Sequence, residues 1–136
     1  VALLAPIVAV VIATLALMFM GHRQERANER NEAEAINRTA VLARSYVRDV
    51  LAAPAGFPGR EAVRGIAERH DGRLVSYVRS EGSLTTTVKF FGRYEDTSMF
   101  GVSHSWVHRC CSAVFREDAA DGLRGKATRL EKCDVG

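Results

Sequence analysis

No charged residue occurs from Val1 to Gly21, and no proline or glycine from His22 to Ala53. The first absence excludes an amphipathic surface helix for the opening stretch: Val, Ala, Leu, Ile, Met and Phe fill nearly every position, and no polar stripe recurs at helical spacing. The second lets a helix begun there run on unbroken. At a helical rise, Val1 to Gly21 is roughly 30 Å long, the thickness of a bilayer's hydrocarbon core. Pro6 falls within about one turn of the start, where a missing N–H is tolerated. Thr14, the only hydroxyl in the stretch, can return its hydrogen bond to the preceding turn. These features predict a transmembrane helix or uncleaved signal-anchor. A cleavable secretory signal would show a shorter apolar core and a small-x-small site, which Met18-Phe19-Met20-Gly21-His22 lacks. A fully buried core helix is the remaining alternative.

Cysteine is scarce: Cys110, Cys111 and Cys133 are the only three, and all lie late in the chain. That excludes a disulfide-dense scaffold and leaves room for one cross-link, which would mark an oxidising compartment. Orientation is taken from this, because His22 to Glu34 mixes Arg23, Arg26 and Arg30 with Glu25, Glu29, Glu32 and Glu34 and gives no retention signal. The domain is expected on the extracytoplasmic side of a cell membrane. All 19 basic and 16 acidic residues follow Gly21, so the formal +3 belongs to the exposed part. Such a mild excess is no nucleic-acid signature. Also missing are a Gly-rich phosphate loop, a Gly-x-Ser-x-Gly elbow, and aromatics alternating with Arg or Lys as a stacking platform requires.

Three segments follow from the patterning: an anchor at 1–21, a polar helical stalk at 22–35, and one small α+β domain at 36–136. The stalk is polar on all sides, with Arg26/Glu29 and Arg30/Glu34 at helical contact spacing. From Ile36 an apolar stripe begins: Ile36, Ala40, Ala43, Val47 and Val50, widened by Leu42, Tyr46 and Leu51. It must pack on the following sheet or, less simply, on a second copy of itself. Pro54, Gly56, Pro58 and Gly59 end the helix. A short second helix spans Arg60 to His70, with Ala62, Val63, Ile66 and Ala67 inward, and Asp71-Gly72 closes it. The period then falls to two. Strands are expected at Leu74 to Arg79, Ser83 to Phe91, about Val102 to Phe115 and roughly Arg124 to Lys132. In the second, Leu84, Thr86, Val88 and Phe90 should face the core. Gly92 to Gly101 reads as a long connection. The predicted architecture is α+β: a long helix, a short helix and a four-stranded antiparallel meander packed on the first helix.

This order of elements resembles the type IV pilins and pseudopilins in outline: an apolar N-terminal helix leaving the membrane, an antiparallel sheet on its far half, and a disulfide near the C-terminus. The family's basic leader and its glutamate a few places into the apolar run have no counterpart here, since Val1 to Gly21 holds no acid. The resemblance therefore covers the order of elements and transfers no site residues. It implies a structural subunit of a surface filament or secretion apparatus.

Paired residues in a hairpin keep a constant sum of positions, and a turn centred on Asp118 to Gly122 sets Cys133 opposite about His108 to Cys110. Cys110 is the nearer candidate partner; Cys111, one step on, points to the other face and would be a buried free thiol. Along one face of the same strand lie His104, Trp106, His108 and Cys110. Imidazole and thiolate suit zinc or copper, but residues four apart in a strand are separated by roughly 13 Å, so His104 and His108 could share an ion only across a bulge. A set of His104, His108 and Cys111 is the alternative enzyme or metal reading. Ser103 and Ser105 flank His104 without an oxyanion hole nearby. Asn37-Arg38-Thr39 fits the glycosylation pattern but falls in a predicted helix. No cofactor and no catalytic set is expected. The expected role is non-catalytic: binding, sensing or assisting at the cell surface, with the bilayer, a protein partner or another copy of the chain as partners. Met99, Phe100 and Trp106 are the candidate partner surface.

Overall fold

The computed structural model describes residues 2–54, 56–118 and 122–133. Part of the turn expected between Glu117 and Gly122 lies outside them. Helix α1 (Leu4–Leu51) runs 48 residues without a break, a length of about 72 Å. No residue of its apolar portion up to Gly21 is buried. Thr14 donates its hydroxyl to Val10 O at 2.8 Å, so the one polar side chain there is satisfied within the helix. Pro54 and Gly56, the latter at a φ of 91°, follow the end of this helix, and Gly59 caps the next. Helix α2 (Arg60–Arg69) then carries Glu61 in its first turn and Arg69 in its last, complementing the helix dipole. Arg64 reaches Glu61 and Glu68 at 3.6 and 3.5 Å. At the end of α2, Asp71 takes a positive φ of 55° and turns the chain into the sheet.

The sheet is a meander, β1 (Gly72–Ser80), β2 (Ser83–Ser98), β3 (Gly101–Asp118) and β4 (Gly122–Leu130), antiparallel throughout. Both helices pack on one face. Leu84, Thr86, Val88 and Phe90 of β2 are all fully buried there, as the alternation predicts. They meet Tyr46, Val47 and Val50 of α1, Val63, Ile66 and Ala67 of α2, and Phe115 of β3. Tyr46 presents its ring edge-on to Phe90 and Phe115, at centroid distances of 5.7 and 6.4 Å.

Four details depart from the sequence pattern. The buried face of α1 begins at Ala35 and Thr39, while Ile36 is half-buried and Ala40 exposed. The helix rotates toward its smaller residues because the sheet comes close there: a Cβ on Gly92 would stand 2.8 Å from Ala35 O. Ala62 of α2 is exposed rather than inward. The stretch from Gly92 to Gly101 is not a long connection; β2 continues to Ser98 and the turn is only Met99 and Phe100. Finally, β4 stops at Leu130, short of Lys132.

Candidate partner surface

β1 pairs with β2 only as far as Phe90, so from Phe91 onward one edge of β2 has no neighbouring strand among the described residues. Asp71 O takes the Phe91 N–H at 3.0 Å. Beyond it, side chains of α1 replace the missing strand. Arg38 donates to Arg93 O, and Asn31 Nδ2 to Glu95 O at 3.1 Å. Asn28 makes two bonds to one residue, donating from Nδ2 to Thr97 O at 3.0 Å and accepting the Thr97 N–H at its Oδ1 at 2.9 Å. Arg93, Glu95 and Thr97 alternate, so their backbone groups point to the same edge; Asn28, Asn31, Ala35 and Arg38 recur at helical spacing on one face. The Asn28 carboxamide thus stands in for a peptide group of a fifth strand, and an edge open to strand addition is closed. The polar segment of α1 is therefore engaged along one face.

This clamp fixes where the β2–β3 turn goes. Helix numbers fall as β2 numbers rise, so the turn points toward the apolar part of α1. Gly21 and Asn28 line a common cleft of about 340 Å³ with Asp96 and Thr97. At the tip Ser98 pairs with Gly101, whose φ of 128° completes the reversal. Met99 and Phe100 between them are 77% and 99% exposed.

Trp106 lies elsewhere. It pairs with Arg93 on the face of the sheet turned away from the helices and is 65% exposed. Five residues of strand separate it from Gly101, about 17 Å. Of the three candidate residues, the structure brings Met99 and Phe100 together and leaves Trp106 apart.

His104 pairs with Glu95 and His108 with Phe91, whose rings are 6.4 Å apart. The β2–β3 ladder runs without a shift through both positions, so no bulge draws the two imidazoles together. Among the described residues no group of three or more His, Cys, Asp or Glu side chains is gathered for a metal ion. Ser103 donates its hydroxyl to Asp96 O at 3.2 Å, a bond within the hairpin. Cys110 and Cys133 form a disulfide with a Cα separation of 5.4 Å. Cys110 itself faces Leu130, and the chain leaves the ladder after that residue to bring Cys133 back. Cys111 is buried on the opposite face, where burial raises its thiol pKa and Arg129 only partly offsets the effect. An activated nucleophile needs the opposite shift.

One feature has no counterpart in the linear pattern. Lys89, Arg109, Arg129 and Lys132, with His108 and Glu131, line a cleft of about 740 Å³ at the disulfide. Arg109 leaves its Nε buried without a partner there. The cations come from β2, β3, β4 and the segment after β4, far apart in sequence; the register that pairs Cys111 with Arg129 is the signal that would have gathered them. Such a cleft attracts an anionic group. Comparison with protein families, with curated proteins and with solved structures gives no match for this chain.

Proposed function

We propose that the chain is a single-pass membrane protein whose disulfide-linked α+β domain stands outside the cytoplasm and binds a partner without catalysing a reaction. The carrying observation is the division of α1: no residue of its apolar part up to Gly21 is buried, while from Ala35 onward one face is. Kept in water, so many large apolar side chains forgo about 25 cal/mol for each Å² that a non-aqueous surrounding would take up. A bilayer removes that cost. The Cys110–Cys133 bond supports an oxidising side for the domain. The outer sheet face around Trp106 and Arg93, covered by neither helix, is the surface offered to a protein partner, and the basic cleft at the disulfide adds a preference for acidic groups.

The test is thiol accessibility in intact cells. A membrane-impermeant maleimide should label Cys110 and Cys133 from outside only after reduction. Three free thiols that stay unlabelled until lysis would put the domain in the cytoplasm and overturn the proposal.

A pilin-like filament subunit is the second reading. In its favour is a helix whose exposed apolar half projects from a domain that packs on the other half, with a disulfide after the last strand. Sheared surface material would then yield polymers, where the first reading gives monomers or small oligomers in the membrane fraction.

A further inference from the structure

We infer that the β2–β3 turn is a second membrane contact: Met99 and Phe100 insert into the interfacial layer of the bilayer beside the point where α1 leaves it. The inference rests on the spanning role proposed for α1 and adds a site to it.

The geometry comes from the Asn28–Thr97 clamp. From Asn28 back to Gly21, the end of the apolar run, is seven residues of helix, about 10 Å along the axis. From Thr97 on to Met99 is two residues of strand, about 7 Å in the same direction. The turn therefore ends within about 4 Å of the level of Gly21, and the headgroup region extends roughly 5–7 Å beyond the hydrocarbon core on each side. Thr97 is bonded to Asn28 through both its N–H and its C=O, so the turn is held at that level.

The chemistry of the turn agrees. Tight turns favour Gly, Asn, Asp, Ser and Pro, yet the two tip positions here are Met and Phe, and both project away from the protein. Phe100 makes no packing contribution that would explain it. Val102, 59% exposed on the outer face next to the turn, extends the apolar end. On α1 at this level stand Arg23 and Arg26, which can meet lipid phosphates. With the anchor on one side and the turn on the other, the domain has two points of attachment, and its tilt relative to the membrane is fixed.

Trp106 is the only tryptophan, which gives a clean reporter. The full chain is reconstituted into phosphatidylcholine vesicles in three forms: native; Phe100→Trp with Trp106→Phe; and Ile12→Trp with Trp106→Phe. Each is titrated with aqueous acrylamide and with lipids brominated at shallow or deep acyl positions. The indole at position 100 should emit further to the blue than native Trp106, lose most of its acrylamide quenching and respond to the shallow bromolipid. Equal acrylamide quenching at positions 100 and 106 overturns the inference. So does shielding at position 100 without bromolipid quenching, which would mean that protein, such as a second copy, covers the turn. Quenching at position 12 by the deep bromolipid reports on the span separately: if it is absent, the spanning role itself fails; if it is present while position 100 stays in water, only the second contact fails.

Discussion

Tyr46 joins α1 to the sheet through both its ring and its hydroxyl. The ring packs on Phe90 and Phe115, and the hydroxyl shares a 2.8 Å hydrogen bond with Thr86 Oγ1 in the core. Tyr46→Phe keeps the ring and strands the Thr86 hydroxyl, which should cost about 1–2 kcal/mol, measured as a lower Tm in detergent micelles. The double variant with Thr86→Val should recover much of the loss, and a full loss in the double variant would show that the bond is not the cause. Burial pushes the Tyr46 hydroxyl up to about 12 from an ordinary 10.0. A raised folded value means that this contribution is complete below pH 10 and lost as pH rises through about 12. Tyr46→Phe should remove that alkaline limb. Asp49 behaves with the opposite sign. His70 Nε2 donates to its Oδ2 at 2.6 Å, and that hydrogen bond, more than the nearby charges of His70, Arg48 and Arg69, holds the carboxyl below its ordinary 3.8. The link between the end of α2 and the last turn of α1 is therefore present above pH 3.8 and lost as pH falls through the depressed value. Denaturation curves of the native chain and of Asp49→Asn should differ at neutral pH and converge in acid; a constant gap would rule the link out as the source.

Among the elements, the distal half of the β2–β3 hairpin is tied to the rest of the domain by α1 rather than by β1. It has β3 on one side and, in place of β1, three helix side chains. Asn28→Ala should speed amide exchange at Thr97 and its neighbours while leaving Leu84 to Phe90 protected. Uniform exchange along β2 before and after the change would mean the clamp carries no load. Gly92→Ala should cost about 1–3 kcal/mol, because the added Cβ meets a helix carbonyl that cannot move aside independently. This region also marks where the sequence stops being legible. The four strands and their order could be read from alternation; hairpin register brought Cys133 near Cys110 without pairing them, since the ladder sets Leu130 opposite Cys110 and ends there. Arg93 to Ser98 could not be read: strand patterning is visible when one face is apolar, and this segment is polar on both, its pairing supplied by Asn and Arg side chains from some 60 residues earlier. For the same reason Asn28 and Asn31 looked like ordinary solvated positions. Met99 and Phe100 could be singled out by type, but only the length of β2 separates them from Trp106.

At the scale of the whole molecule, the chain divides into a domain that holds itself together and an apolar extension that it does not use. Every packing contact of the core lies between Ala35 and the C-terminal strand, the disulfide closes the last strand across 23 residues, and the polar segment is tied to the hairpin from Asn28 onward. Loss of the Cys110–Cys133 bond should lower stability by about 2–4 kcal/mol, and Cys111 cannot take over, because it faces the other side of the sheet. Removing residues 1–21 is the sharper test, because it withdraws a third or more of α1 without touching a core contact. A fragment starting at His22 should be soluble without detergent, keep its disulfide, and unfold cooperatively at the same Tm as the full chain in a mild detergent. Its polar first turns would fray, but the bonds at Asn28, Asn31 and Arg38 should hold the helix to β2 from there on. A soluble, monomeric fragment is expected under both roles proposed above; the full chain separates them, as polymers in sheared surface material or as monomers and small oligomers in the membrane fraction. A fragment that aggregates or fails to fold would show that the apolar half of α1 is part of the folded unit, packed against other copies, and would overturn the division of the chain into anchor and independent domain.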